Sequence, residues 1–125
     1  MNTDEMKELV ISTLDDLKAV EVRVLDVQEM TSVTDIMIIA SGTSNRHVKS
    51  IADNVVEAAK KNGVRPLGIE GDQASEWILV DLGDVVVHIM KPDTRDFYNL
   101  EKLWSFKEHG SVQDHIKEGE LADIG

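Results

Sequence analysis

Residues 35–42 read DIMIIASG, with an unbroken apolar run from Ile36 to Ala40. The run is too short for an ordinary helix and is apolar at odd and even positions alike. As a strand it has two faces that must both leave water, which puts it inside a sheet rather than at its edge. Directly after it, Val48, Ile51, Ala52, Val55, Val56 and Ala59 recur at helical spacing across residues 44–62, and Gly63 supplies the stop. A buried strand feeding an amphipathic helix is the opening of an α/β layer.

The other elements are arranged around that unit. Thr3 is placed to cap a first helix whose apolar stripe is Met6, Val10, Leu14 and Leu17, with Asp4, Glu5 and Glu8 in its early turns. VRVLDV (22–27) reads as a strand with Val22 and Val24 on one face, and the link to residue 35 allows an antiparallel return. PLGIEG (66–71) is a short strand expected to run parallel to 35–41, because a helix separates the two. EWILVDL and VVVHIM flank Gly83-Asp84 as a hairpin. KPDTRDFYNLEKLW predicts a turn into a last helix, capped by Asp93 or Thr94, that sets Phe97, Leu103 and part of Trp104 against the sheet. The fold class is α/β, a mixed sheet of about five strands flanked by helices. Residues 1–104 form a single domain, and 105–125 form a polar tail expected to be flexible.

Charge and aromatic content narrow the function classes. The formal net charge is −11, which disfavours nonspecific binding to a phosphate backbone. Residues 91–104 stand apart at net zero, with Lys91, Arg95 and Lys102 against Asp93, Asp96 and Glu101. All five aromatic side chains, Trp77, Phe97, Tyr98, Trp104 and Phe106, fall between positions 77 and 106. Locally neutral and aromatic is the composition of an interface centre. Tyr98 lies about 100° round a helix from Phe97, Trp77 opens a strand, and Leu82 sits at a hairpin tip. Those three are expected to be exposed and to form a docking patch. No cysteine, no basic leader and no apolar run of membrane-spanning length are present, so a cytoplasmic setting without membrane contact is expected.

Catalysis finds less support. SGTSNRH (41–47) joins the buried strand to a helix N-terminus and could cradle a phosphate, but it matches neither Gly-rich nucleotide fingerprint. Glu70 and Asp72 give E-x-D in a loop. No strand carries the D-x-D or D-x-E pair that would hold paired metals, and Asp81 and Asp84 straddle the hairpin. His47 and His88 read as structural. The chain is expected to be no enzyme, with no cofactor, no metal and no catalytic residue. The alternative is a nucleotide-binding transferase using SGTSNR with Glu70 and Asp72.

ASGTSNRHVKSIAD (40–53), PLGIEG (66–71), EWILVDLGDVVVHIM (76–90) and RDFYNLEKLW (95–104) together resemble the ribosomal silencing factor family, also called RsfS or Iojap. The resemblance runs from about residue 5 to Trp104 and leaves the tail outside. It implies a fold similar to a nucleotidyltransferase core lacking the catalytic carboxylates. It also implies a translational repressor that binds the large ribosomal subunit through its protein number fourteen and keeps the small subunit from joining. A homodimer and little direct nucleic-acid contact are implied as well. Carried over by motif, the partner-binding residues are Trp77, Leu82, Lys91, Tyr98 and Leu100.

Overall fold

The computed structural model describes residues 1–71, 74–100 and 102. Among these, three helices and one five-stranded sheet form, in the order α1 (Thr3–Asp16), β1 (Val20–Asp26), β2 (Ile36–Ser41), α2 (Asn45–Lys61), β3 (Gly68–Gly71), β4 (Trp77–Asp81), β5 (Val85–Met90) and α3 (Pro92–Tyr98). The sheet order is β1-β2-β5-β4-β3. All six residues of β2 are buried, as its two apolar faces require. β1 pairs with β2 antiparallel, and β5 pairs with β2 in parallel from Ile36↔Val85 to Ser41↔Met90. β4 and then β3 extend the sheet by antiparallel pairings. β3 therefore runs in the same direction as β2, but α2 carries the chain past two strand positions to the far edge, and the β4–β5 hairpin fills the gap.

The two faces of the sheet are covered unequally. On one, Ile36, Ile38, Ala40, Val85, Val87, Ile89, Ile78, Val80 and Leu82 pack against Met6, Val10 and Leu14 of α1 and Val48, Ile51, Val55 and Ala59 of α2. Each of these large side chains contributes roughly 1.5–3 kcal/mol by leaving water, and this face is the main core. On the other, Leu25, Val27, Met37, Ile39 and Met90 form a smaller cluster, joined by half-buried Met30, Trp77 and Leu100. β1 enters with a register slip of one residue between Val20 and Arg23, and Glu21 there takes φ of 50°. As an edge strand, β1 leaves Val24 exposed.

Two expected caps are corrected. α1 is capped by Asn2 rather than Thr3: the Asn2 side chain accepts from the Glu5 N–H at 2.8 Å, and Glu5 Oε1 accepts from the Asn2 N–H at 3.1 Å. Thr3 Oγ1 instead donates to Asp84 Oδ2 at 3.1 Å, fastening the start of α1 to the hairpin turn. α3 begins at Pro92 with Lys91 as its N-cap and no side-chain capping bond, so neither Asp93 nor Thr94 caps it. Proline at the first helical position replaces the cap by fixing φ and removing one orphan donor.

The β2–α2 turn shows why glycine stands at 42. A Cβ there would lie 2.8 Å from the Val48 backbone nitrogen and 2.9 Å from its Cγ2. At Gly68, on the edge strand, a Cβ would meet nothing within 4 Å. Gly42→Ala is expected to lower stability in urea by about 1–3 kcal/mol. Gly68→Ala, its control, is expected to stay within about 0.5 kcal/mol of wild type. Equal urea midpoints for the two variants would contradict this packing.

Candidate docking surface

Among the described residues, half-buried Met30, Trp77 and Leu100 flank the smaller core cluster, and aromatic side chains gather at its rim. Alternation along β4 sends Ile78 and Val80 into the main core and Trp77 and Leu79 to the opposite face. Trp77 pairs across the hairpin with Met90, and Leu79 pairs with His88. The Trp77 indole N–H donates to His88 Nδ1 at 3.0 Å, and the two ring centroids lie 5.8 Å apart. That bond makes Nδ1 the acceptor and places the proton of the neutral imidazole on Nε2. His88 is buried, and burial lowers its pKa from 6.5 to about 4.

α3 brings the remaining rings. The chain turns at Lys91, whose N–H donates to the Glu76 carbonyl at 3.0 Å, and enters α3 beside Trp77. Arg95 on α3 is buried, and its guanidinium donates to Ser41 Oγ at 3.0 Å, at the end of the central strand. This attachment holds Tyr98 against Trp77, with centroids 4.7 Å apart and planes tilted by 51°. Phe97 meets Tyr98 edge-on, at 5.0 Å and 86°. The helix stops where Asn99 adopts a left-handed conformation, φ 49° and ψ 49°, one that asparagine tolerates better than most residues. Beyond it, Leu100 packs half-buried on the smaller cluster.

Trp77, Lys91, Tyr98 and Leu100 are thus collected around one end of the second face. Leu82 is not. It is 5% exposed and belongs to the main core on the opposite face of the sheet. Its place at the hairpin tip, about 17 Å along the strand from Trp77 at ~3.4 Å per residue, does not expose it, because β4 alternation turns it under the helices. The expectation of an exposed Leu82 is corrected. Phe97 is corrected in the other sense: expected in the core, it is 78% exposed, while Tyr98 is 44% exposed. The helical spacing that linked Phe97 to Leu103 and Trp104 assumed one continuous helix, and Asn99 interrupts it. Leu103, Trp104, Phe106 and the tail from 105 lie outside the described residues, as does Asp72 of the E-x-D pair.

The SGTSNR turn is occupied by its own side chains. Ser44 caps α2, its Oγ accepting from the His47 N–H at 3.1 Å. The Thr43 N–H donates to His47 Nδ1 at 2.9 Å, so Nε2–H is left to donate to the Leu17 carbonyl at 2.8 Å. His47 therefore clips the start of α2 to the end of α1, and the Thr43 amide that would meet a phosphate is already engaged. Among the described residues, no group of three histidine, aspartate or glutamate side chains is placed to hold a metal ion, and no helix is long and apolar enough to cross a membrane.

The fold and this surface define a class: an α/β scaffold with a helix-covered core on one side of the sheet and an aromatic-rimmed cluster on the other. A family model described as "Ribosomal silencing factor during starvation" (RsfS) matches residues 1–123, which runs past Trp104 where the motif resemblance stops. The chain is 45% identical over 104 residues to a ribosomal silencing factor RsfS of Chromobacterium violaceum, covering 83% of this chain and 85% of the relative. It is 47% identical over 98 residues to one of Haemophilus influenzae, covering 78% and 96%. A crystal structure of a Chromobacterium violaceum protein superposes with a TM-score of 0.82 at 45% identity, covering 84% of this chain and 88% of that one. The chain belongs to the ribosomal silencing factor family.

The Trp77–His88 pair makes stability pH-dependent. Because the folded pKa is depressed, the unfolded chain takes up a proton from pH 6.5 downward while the folded chain resists until about pH 4. Stability is therefore complete above pH 6.5 and falls as the pH drops toward 4, by about 3 kcal/mol from this group. His88→Asn, which keeps an acceptor for Trp77 but cannot titrate there, is expected to remove that part of the acid slope in urea melts at pH 7 and pH 4. Parallel slopes for wild type and variant would show that His88 is not the group responsible.

Proposed function

We propose that this protein represses translation by occupying protein number fourteen of the large ribosomal subunit, so that the small subunit cannot join. Family membership supports a ribosomal setting. The observation that carries the docking step is the aromatic set of exposed Phe97 and Tyr98 with half-buried Trp77, held in fixed geometry by His88 and Arg95. Rings on the surface of a soluble protein are costly to leave wet and favourable to cover, and rigid aromatic anchors dominate interface energetics. Lys91 at the rim adds a charge beside them, and Leu100 supports the patch from beneath. Leu82 serves the same patch indirectly, by fixing the hairpin in the core.

Steric exclusion asks nothing further of the chain: no bond is made or broken, so no nucleophile, general base or metal is required. The net charge of −11 suits a factor that must ignore ribosomal RNA and find a protein patch with basic side chains. A cytoplasmic setting, expected from the composition, and a homodimer, implied by the resemblance, belong to the same proposal. The protein is expected to sediment with free large subunits and to lower the yield of joined ribosomes as its concentration rises. Equal sedimentation with small subunits, or undiminished joining at saturation, would overturn the proposal.

The corrected positions of Phe97 and Leu82 yield a sharper expectation. Trp77→Ala, Tyr98→Ala and Phe97→Ala should each weaken large-subunit binding by roughly 2 kcal/mol or more. Phe97→Ala should leave folding stability within about 0.5 kcal/mol, because the ring is exposed. Leu82→Ala should behave oppositely, costing about 2–5 kcal/mol of stability while the folded fraction binds normally. Titrations and urea melts on the four variants test this. A Phe97→Ala variant that binds as wild type would place the contact elsewhere on the surface.

A further inference from the structure

Glu70 is half of an E-x-D pair in the sequence, and the fold gives it different neighbours. In the β3–β4 ladder Glu70 is the direct partner of Leu79, so the two share a face, the face onto which alternation also sends Trp77. Together with Gly71 they line a shallow cavity of about 300 Å³. Its floor is apolar and aromatic, and among the described residues the one ionisable lining group is the Glu70 carboxylate on the edge strand. Among the described residues, no hydrogen bond or ion pair engages that carboxylate. Gly71 keeps the edge close: a Cβ there would lie 3.0 Å from both the Trp77 carbonyl oxygen and Ile78 Cγ1.

We infer that this cavity receives one lysine or arginine side chain of the protein on which the Trp77–Tyr98 surface docks, with Glu70 as its counter-ion. The inference rests on the docking reading above and specifies the chemistry of the partner. An aliphatic stem fits against Leu79 and the Trp77 ring, as the stems of long basic side chains do on apolar surface. The cationic head meets Glu70 at the cavity edge and gains further from the indole face. An acidic or purely apolar side chain leaves the carboxylate opposed or stripped of water, which costs binding energy. Glu70 thus acts as a selector: the rings supply affinity, and the carboxylate sets which side chain lies beside them.

The test is a titration of the full chain against separated large subunits at low and high salt, for wild type, Glu70→Gln, Glu70→Lys and Tyr98→Ala. Glu70→Gln is expected to weaken binding about fivefold to tenfold at low salt, chiefly by slowing association, and less at high salt. Glu70→Lys is expected to weaken it by about tenfold more. Neither change should move the urea midpoint, because the side chain is exposed. Absent binding by wild type, or binding indifferent to Tyr98→Ala, overturns the docking reading and this inference with it. Binding that depends on Tyr98 but stays within twofold of wild type in Glu70→Gln overturns this inference alone, as does tighter binding by Glu70→Lys.

Discussion

The parallel pairing of β2 with β5 is the constraint on which the molecule depends. β2 is buried on both faces, so it needs a strand on either side and a layer above and below. β1 can satisfy one side by a simple antiparallel return, but a parallel neighbour cannot be reached by a tight turn. The chain meets this by sending α2 across the sheet, starting β3 at the far edge and working back through β4 to β5. That route fixes the asymmetry of the faces. The crossover helix and α1 cover one, and no described helix of comparable length covers the other. The aromatic-rimmed surface lies on that second face.

The elements whose periodicity reports a single buried surface were readable from residue order. β2, α2 and the hairpin about Gly83-Asp84 lie where their patterns put them, because apolar spacing and a positive-φ glycine are local properties. The direction of β3 was also readable, since a helical crossover reverses the chain twice. Its distance from β2 was not, because nothing in PLGIEG says how many strands will later be inserted. The two misplaced side chains fail for related reasons. Leu82 looked exposed because turns are exposed, yet its fate is set by strand parity with Ile78 and Val80. Phe97 looked buried because a helical pattern was extended through Asn99, and one residue in a left-handed conformation cancels that phase relation.

The candidate surface was legible as composition and not as geometry. Five aromatics in one stretch of a sparsely aromatic chain marked the region. Which of them would be held, and by what, depended on partners distant in sequence: His88 eleven residues from Trp77, and Ser41 fifty-four residues from Arg95. Both fixing groups are polar and buried, and a buried polar group that finds its partner specifies position more sharply than apolar contact does. Glu70 stands out in the sequence only as half of an E-x-D pair. A carboxylate near a loop suggested metal binding, whereas cross-strand register puts it beside an indole.

The attachment of α3 has a consequence for what a folded molecule means here. Seven residues lie well below the length at which a helix sustains itself in water, so α3 depends on packing partners, of which Ser41 and Trp77 of the sheet are described. Both partners lie outside the helix-covered core. Opening of α3 is therefore a local event of low cost, separable from global unfolding. A molecule with its five strands and two long helices intact can still lack the Trp77–Tyr98 contact. Warming, or a substitution near Ser41, would deplete the recognition-competent population before a spectroscopic melt registered any loss of fold.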